Sequence, residues 1–238
     1  MRARQAGHAG GYTVLRTPVL LNRLPELKLV WQNRGPMLAG VDEILDFWFA
    51  DAAESADALR RRYAVWFGVD REFDHEVRQR FETTLELAET GACDHWEGDA
   101  RSLLALILLF DQVPRNIHRG TSRAFAYDDR ALKLSLRGID GGVDQALAAL
   151  ERVFFYMPLQ HVESLDLQTR SVELHAALLR EGPESLRGFL DQSLRHAVRH
   201  RDIIAQFGRF PHRNAVLGRA SSEAEQAFLD AGTSRYGQ

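Results

Sequence analysis

The sequence predicts an all-α fold, and three observations support that prediction. Apolar residues recur every three to four positions along most of the chain from Val41 onward, which is the period of an amphipathic helix. Short turns marked by glycine or proline separate these periodic segments. No segment alternates apolar and polar residues as a half-buried strand does. Stacked antiparallel helical hairpins fit this pattern, but periodicity alone leaves a helical array and a helical bundle as alternatives.

We expect three helices before Gly91. The first begins at Val41, the second runs from about Ser55 to Phe67, and the third follows Asp70, a residue type that caps helix N-termini. Apolar residues spaced by four form one face of the third helix: Phe73, Val77, Phe81 and Leu85.

The segment from Arg101 to Val113 is apolar nearly all round, which predicts a helix buried inside the assembly. We expect Pro114 to end this helix and Pro158 to interrupt the chain again, because proline lacks the N–H that a helix needs. A last helix begins near Ser221 or Ser222. The same periodicity predicts the remaining helices over about 128–137, 144–156, 163–180 and 184–207.

Composition excludes several classes of function. A chain of 238 residues with 45% hydrophobic and 26% charged residues is typical of a soluble globular domain. Its net charge of −3 argues against a nucleic-acid partner. The longest apolar run, Leu103 to Phe110, is too short to cross a membrane. Cys93 is the only cysteine, so no internal disulfide can form, which fits a cytoplasmic location.

Residues 1–36 differ from the rest of the chain, because they hold five arginines and a single acid, Glu26. Such a composition is found in transit peptides. We favour an extension, either flexible or a start-site artefact, that precedes a single all-α domain over residues 37–238. Three prolines interrupt the little apolar content of the extension: Pro18, Pro25 and Pro36.

A chain that begins at Met37 should therefore melt at the same temperature as the full chain, because residues 1–36 lack a sustained amphipathic period. Thermal denaturation of both chains checks this. A loss of several degrees in the shorter chain would show that the segment belongs to the domain.

Three polar clusters interrupt the apolar pattern, and the first is "FDQVPRNIHRG" at the end of the buried helix. Asp111 directly follows the apolar run Leu103 to Phe110, and a buried carboxylate needs an ionic or hydrogen-bonded partner. Arginine is the natural bidentate partner. Arg115 and the arginines of the segment 209–219 are the candidates, and we expect the partner in that segment.

Histidines mark the second cluster, "MPLQHVESLDLQTRSVELH", and the helix that follows it. If a helix begins near His161, then His161 and Gln168 share an otherwise apolar face, with Glu163 as a capping residue or a charge partner. His200 lies at the centre of an apolar stripe, one turn after His196. That spacing suits a metal ion, but the HExxH pattern is absent, so we favour a hydrogen-bonded core histidine and predict no metal site.

The third cluster, "FGRFPHRNAVLGR" at residues 207–219, is the most basic. Six arginines and three histidines lie between Arg195 and Arg219, against one acid, Asp202. We predict that a turn presents three of these residues to a carboxylate or phosphate, with Asn214 completing the polar wall. The three residues are Arg209, His212 and Arg213.

Together with "LDFWF", "FFYMPLQHVE" and "SSEAEQAFL", these clusters closely resemble the bacterial family called domain of unknown function 924, from about Val41 to Leu229. The family's fold is similar to tetratricopeptide-repeat superhelices, so the resemblance implies stacked helical hairpins. Family members usually read His-Ser-Glu where this chain has His161-Val162-Glu163. The resemblance implies no reaction. Its motif positions carry over to Asp111, Gln112, Arg115, Asn116, His161, Glu163, Gln168, His200, Phe210, Pro211, His212, Arg213, Asn214 and Arg219.

Three functions fit the clusters. We favour a binding protein whose polar cleft takes an anionic small molecule or a peptide, without a cofactor. The candidate ligand-binding residues are Arg115, Asn116, Gln168, Arg209, His212, Arg213, Asn214 and Arg219. The alternative is an enzyme, for example a hydrolase of an anionic small molecule, with its catalytic group among His161, Glu163, His200 and Asp111. The third is a polar network that only fixes how the helices pack.

Overall fold

The computed structural model of the protein describes residues 38–232. Nine α-helices and no strand occur in this range, so the all-α prediction is confirmed. The tetratricopeptide-repeat-like arrangement stays a prediction, and the predictions for residues 1–36 fall outside the described range. The helices are α1 Val41–Phe49, α2 Ala56–Phe67, α3 Arg71–Glu89, α4 Ala100–Ile117, α5 Asp128–Asp140, α6 Ala149–His161, α7 Leu165–Glu181, α8 Arg187–Phe207 and α9 Glu223–Asp230.

Two helices, α4 and α6, form the centre of the described part. Every residue from Leu103 to Pro114 of α4 and from Val153 to Gln160 of α6 is buried. α4 packs against α1, α3, α5 and α6, and α6 also packs against α5, α7 and α8. The buried helix predicted over Arg101–Val113 is therefore confirmed. Among residues 38–232, no helix combines the length and the apolar character that a membrane crossing requires.

Both helices continue through a proline that the sequence predicted as an interruption. α4 runs through Pro114 to Ile117, and α6 runs through Pro158 to His161. Proline removes only one hydrogen bond from the helical ladder, and close packing on all sides keeps the helix intact. The prediction that Pro114 ends the helix is wrong. As a result, Arg115 lies on the last rigid turn of α4 and not in a loop.

The structure also corrects the helix predicted to begin near His161. His161 is the last residue of α6, whereas Gln168 lies in α7. The buried Gln168 Nε2 donates to the carbonyl oxygens of Gln160 and Val162 at 2.7 and 2.9 Å. Gln168 therefore caps the C-terminal end of α6, where the last helical carbonyls lack backbone donors. This contact fixes the position of His161.

Candidate functional site

A cavity of about 150 Å³, partly open to solvent, lies where the C-terminal ends of α4 and α6 meet the middle of α8. Its volume is comparable to that of cavities that hold a single aromatic ring. The lining comes from α2, α4, α6, α8 and the loops that follow α2, α4 and α8: Tyr63, Trp66, Phe67, Gly68, Gln112, Arg115, Asn116, Arg119, Phe125, Met157, Gln160, His161, Ser193, His196, His200, His212 and Arg213.

The three polar clusters of the sequence meet at this cavity, although about a hundred positions separate the first from the last. Because both prolines lie inside helices, the first two clusters reach the cavity on rigid final turns. The predicted site residues that line it are Arg115, Asn116, His161, His200, His212 and Arg213.

Asp111 lies behind the cavity wall, with a relative exposure of 0%. Its Oδ1 is 2.7 Å from Nδ1 of His161, and its Oδ2 accepts a hydrogen bond from Nε2 of Gln112 at 2.6 Å. Burial would raise the pKa of Asp111, but Arg115, His161 and Gln112 outweigh it and hold the pKa at about 2. Asp111 is therefore ionised and can only accept hydrogen bonds, so Nδ1 of His161 must carry the proton.

The arginine beside Asp111 is Arg115, whose Nη1 is 3.3 Å from Oδ1. The prediction that this partner lies in the segment 209–219 is therefore wrong. Arg115 is the partner because it follows Asp111 by one helical turn, at the i, i+4 spacing that brings two side chains together. The guanidinium of Arg115 also contacts both carboxylate oxygens of Asp128, at 2.9 and 3.0 Å. Two carboxylates therefore share Arg115.

Arg213 reaches the cavity from the loop after α8. Its guanidinium lies 4.5 Å from the ring centres of both Phe125 and Phe210, and Nη1 donates to the carbonyl oxygen of His161 at 2.9 Å. The carboxylate that contacts it, Asp128, is 3.5 Å away. Burial and the charge of Arg115 lower the pKa of Arg213 to about 10. Arg213 is thus a buried cation whose positive charge is only weakly balanced by a carboxylate.

Histidines line the cavity in their neutral form. His175 lies outside the lining, and its Nδ1–H donates a hydrogen bond to the carbonyl oxygen of Ser171 at 2.8 Å. Nε2 of His175 therefore accepts from Nε2 of Gln160, and Oε1 of Gln160 faces Nδ1 of His200 at 3.2 Å. Burial lowers the pKa of His200 well below its ordinary value. Burial also lowers the pKa of His212 to about 3.

The charged groups that line the cavity are arginines, with no carboxylate among the described lining residues. Arg119 is the third of these arginines, and it bonds Asp74 at 2.8 and 2.9 Å. Asn116 donates to the same carboxylate at 2.7 Å. The carboxylates that bond these arginines thus lie outside the lining, and the lining itself is cationic.

The structure places the predicted residues Glu163 and Arg219 outside the cavity lining. Arg219 donates to both carboxylate oxygens of Glu163, at 2.8 and 3.0 Å. The same carboxylate accepts from the backbone N–H of Phe210 at 2.8 Å. Glu163 is thereby occupied in holding the loop after α8 against the end of α6.

Arg209 and Asn214 also lie outside the lining, because residues at the C-terminal end of the described part engage them. Arg209 binds both carboxylate oxygens of Glu225, at 2.6 and 2.8 Å, and Asn214 donates to Oγ of Ser221 at 3.1 Å. These contacts attach α9 to the loop. Of the three residues predicted to hold an anion, His212 and Arg213 line the cavity and Arg209 does not.

Sequence reasoning missed the apolar half of the wall. Tyr63, Trp66 and Phe67 come from α2, and Phe125 and Met157 complete this side. Aromatic residues at helical spacing have the same pattern whether they pack in a core or border a cavity. Nothing in their spacing could have singled them out. No group of three or more metal-ligating side chains converges anywhere within residues 38–232.

Comparisons with known proteins agree with the motifs. A family model described as a bacterial protein of unknown function, domain of unknown function 924, matches residues 44–233, which include every residue of the cavity lining. No curated protein matches the sequence. A solved structure of a protein of unknown function from Agrobacterium tumefaciens is similar, with 37% identity and a TM-score of 0.68. The match covers 81% of this chain and 97% of that one.

Proposed function

Because the chain belongs to the bacterial family domain of unknown function 924, whose description states no activity, we propose a function from the cavity itself. The cavity binds a small organic anion, a carboxylate attached to an apolar body. This proposal narrows the ligand class predicted from the sequence, an anionic small molecule or a peptide, to a small carboxylate. Of the predicted ligand-binding residues, its site keeps Arg115, Asn116, His212 and Arg213.

The proposal rests on Arg213, whose buried positive charge is only partly balanced by a carboxylate. The side chain of Arg213 is 9% exposed and loses most of its hydration, and the Asp128 carboxylate at 3.5 Å is too distant for a strong hydrogen bond. Nε of Arg213 is buried and has no hydrogen-bond partner among the described residues. A ligand carboxylate would supply the missing acceptor and charge, and guanidinium matches carboxylate geometry well.

The apolar lining residues support an apolar body for the ligand. Tyr63, Trp66, Phe67 and Met157 present rings and a thioether to the cavity, and burying apolar area stabilises a complex by about 25 cal/mol per Å². A volume of about 150 Å³ suits one small molecule better than a peptide chain. A compact aromatic carboxylate combines these features, so benzoate is a suitable probe.

Benzoate should raise the melting temperature of the protein, because it binds the native state and not the unfolded chain. At a free concentration ten times its Kd, the stabilisation is about 1.4 kcal/mol, or about 3–6 °C for a domain of this size. Differential scanning fluorimetry with benzoate, benzamide, phosphate and sulfate measures the effect. Benzamide has the same shape without the charge, and sodium chloride at matched ionic strength controls for screening.

Two substitutions of Arg213 test whether this side chain causes the rise in melting temperature with benzoate. Arg213→Ala should lose it, and Arg213→Lys should weaken it, because lysine keeps the charge and loses the planar donor pair. Arg209→Gln is the matched control, since Arg209 lies in the same loop but bonds Glu225 outside the cavity lining. An equal benzoate response in wild type and Arg213→Ala would contradict the proposal and leave the arginines as a structural network.

A further inference from the structure

The hydrogen bond between Asp111 and His161 carries an inference beyond binding. His161 presents its Nδ1 edge to a carboxylate behind the wall, 2.7 Å away, and its side chain is one of those that line the cavity. Nε2, on the opposite edge of the ring, makes no hydrogen bond to any described residue. Since Nδ1 holds the proton, Nε2 carries a lone pair on the cavity side.

A carboxylate that fixes the tautomer of a neutral histidine is the arrangement that enzymes use to orient a general base. In this protein three residues hold His161 and Asp111 in their orientation. Gln112 fixes Oδ2 of Asp111, Gln168 caps the last turn of α6, and Arg213 bonds the carbonyl oxygen of His161. A histidine needed only for packing would not require a bare ring nitrogen at the cavity wall.

We propose that His161 acts as the general base in the hydrolysis of a small carboxylate-bearing ester bound in this cavity, with Asp111 as its positioning residue. The inference rests on the proposed anion binding, which brings the ester to His161. It also agrees with the enzyme alternative that the sequence leaves open, and it selects His161 from the candidate catalytic residues. Glu163 is excluded because Arg219 and Phe210 occupy its carboxylate.

The reaction needs only water as co-reactant. Nε2 of His161 removes a proton from a water molecule while the water oxygen forms a bond to the ester carbonyl carbon, and the carbonyl electron pair moves onto its oxygen. The positive charges of Arg115 and Arg119 in the lining offset the negative charge that develops on this oxygen. When the electron pair on the former carbonyl oxygen re-forms the carbon–oxygen double bond, the bond between the carbon and the alkoxy oxygen breaks. The alkoxide takes the proton from His161, so ester and water give acid and alcohol.

The pH dependence follows from the groups around His161. Burial and the charge of Arg115 lower its pKa, opposed by Asp111 and Asp128. His200, His212 and Arg213 approach it from α8 and the following loop. The base form is therefore the one present at pH 7. The rate should fall only as the pH drops through the lowered pKa of His161, below the ordinary value for histidine.

The test measures hydrolysis of 4-acetoxybenzoate, with 4-acetoxybenzamide as the uncharged match, in wild type, His161→Gln and Asp111→Asn. Glutamine keeps a donor for Asp111, and asparagine keeps the shape of aspartate but removes the negative charge that stabilises His161 when it takes up the proton. We expect wild type to hydrolyse the anionic ester faster than the amide-bearing one, and both variants to lose about 10²–10⁴-fold in rate. A wild-type rate no higher than that of His161→Gln overturns the proposal.

Two further readouts separate the proposals. The benzoate response of each variant reports folding and binding, so a retained response without turnover in wild type would overturn catalysis and leave anion binding intact. Absence of a benzoate response in wild type would overturn both. Nitrogen-15 NMR of labelled histidine gives a measurement independent of turnover. A proton on Nε2 of His161 at pH 7 would also overturn the assignment of His161 as the base.

Discussion

Asp111→Ala should lower the free energy of unfolding by about 3–5 kcal/mol, because it removes one partner of a fully buried ionic network. Arg115 then keeps only Asp128 as a carboxylate partner, and the Nδ1 proton of His161 loses its acceptor. A buried donor left without a partner costs about 1–3 kcal/mol. Urea denaturation of wild type and variant at pH 7 measures the difference.

Asp140→Ala is the control for this prediction. Asp140 forms an ion pair with Arg170 at 2.6 Å, but its side chain is 63% exposed, so its loss should change the free energy of unfolding by less than about 1 kcal/mol. If Asp111→Ala were as mild as this control, Asp111 would be solvated, and the buried network at the end of α4 would not hold Arg115 and His161 in place.

The protein should lose stability in acid well before its carboxylates titrate, because its buried histidines are held neutral. Burial lowers the pKa of His175 to about 4, while an unfolded histidine has a pKa of about 6.5. Between those values the unfolded chain binds a proton that the native state does not. Stability therefore falls by about 1.4 kcal/mol per pH unit for this group, about 3 kcal/mol in total as the pH drops to 4.

Other histidines at the cavity add to this loss in the same direction. Burial lowers the pKa of His200 and of His212 in the native state. Asp111 acts in a separate window, since its pKa of about 2 lies below the unfolded value of about 3.9. Its stabilisation is present above pH 4 and disappears between about pH 4 and pH 2.

Urea midpoints measured from pH 8 to pH 4 test the acid prediction. We expect a flat region above pH 7 and a steep decline below pH 6.5. His175→Gln removes one titrating group, so its free energy of unfolding should fall less steeply between pH 6.5 and pH 4 than that of wild type. A wild-type free energy that stayed constant down to pH 4.5 would show that the buried histidines accept protons without unfolding, which contradicts their burial as the cause.

The helices were predictable from the sequence because amphipathic period is a local property. The buried helix α4 was identified from its apolar residues, and the need of Asp111 for a cation followed from its place beside that helix. The predicted helix ends were less accurate at Pro114 and Pro158. Whether a proline ends a helix depends on how well the following turn packs, and that is decided by residues distant in the sequence.

The site was only partly predictable. Arg209 and Arg213 lie four positions apart in one loop, so their sequence contexts are nearly the same. One bonds Glu225 and the other borders the cavity, because the nearest carboxylate is set by tertiary packing. The aromatic wall from α2 has the spacing of ordinary core residues. The contact between Asp111 and His161 joins two clusters fifty positions apart, which a single sequence cannot connect.

A crystal structure of the protein grown with benzoate tests the central claim most directly, since it shows where the anion binds. We predict one benzoate in the cavity, with a carboxylate oxygen about 2.7–3.0 Å from a guanidinium nitrogen of Arg213 and the ring against Trp66 and Phe67. Arg213→Ala crystals grown in the same way should lack it. Benzoate bound only at surface arginines, with the cavity holding water alone, would contradict the claim that this cavity is an anion-binding site.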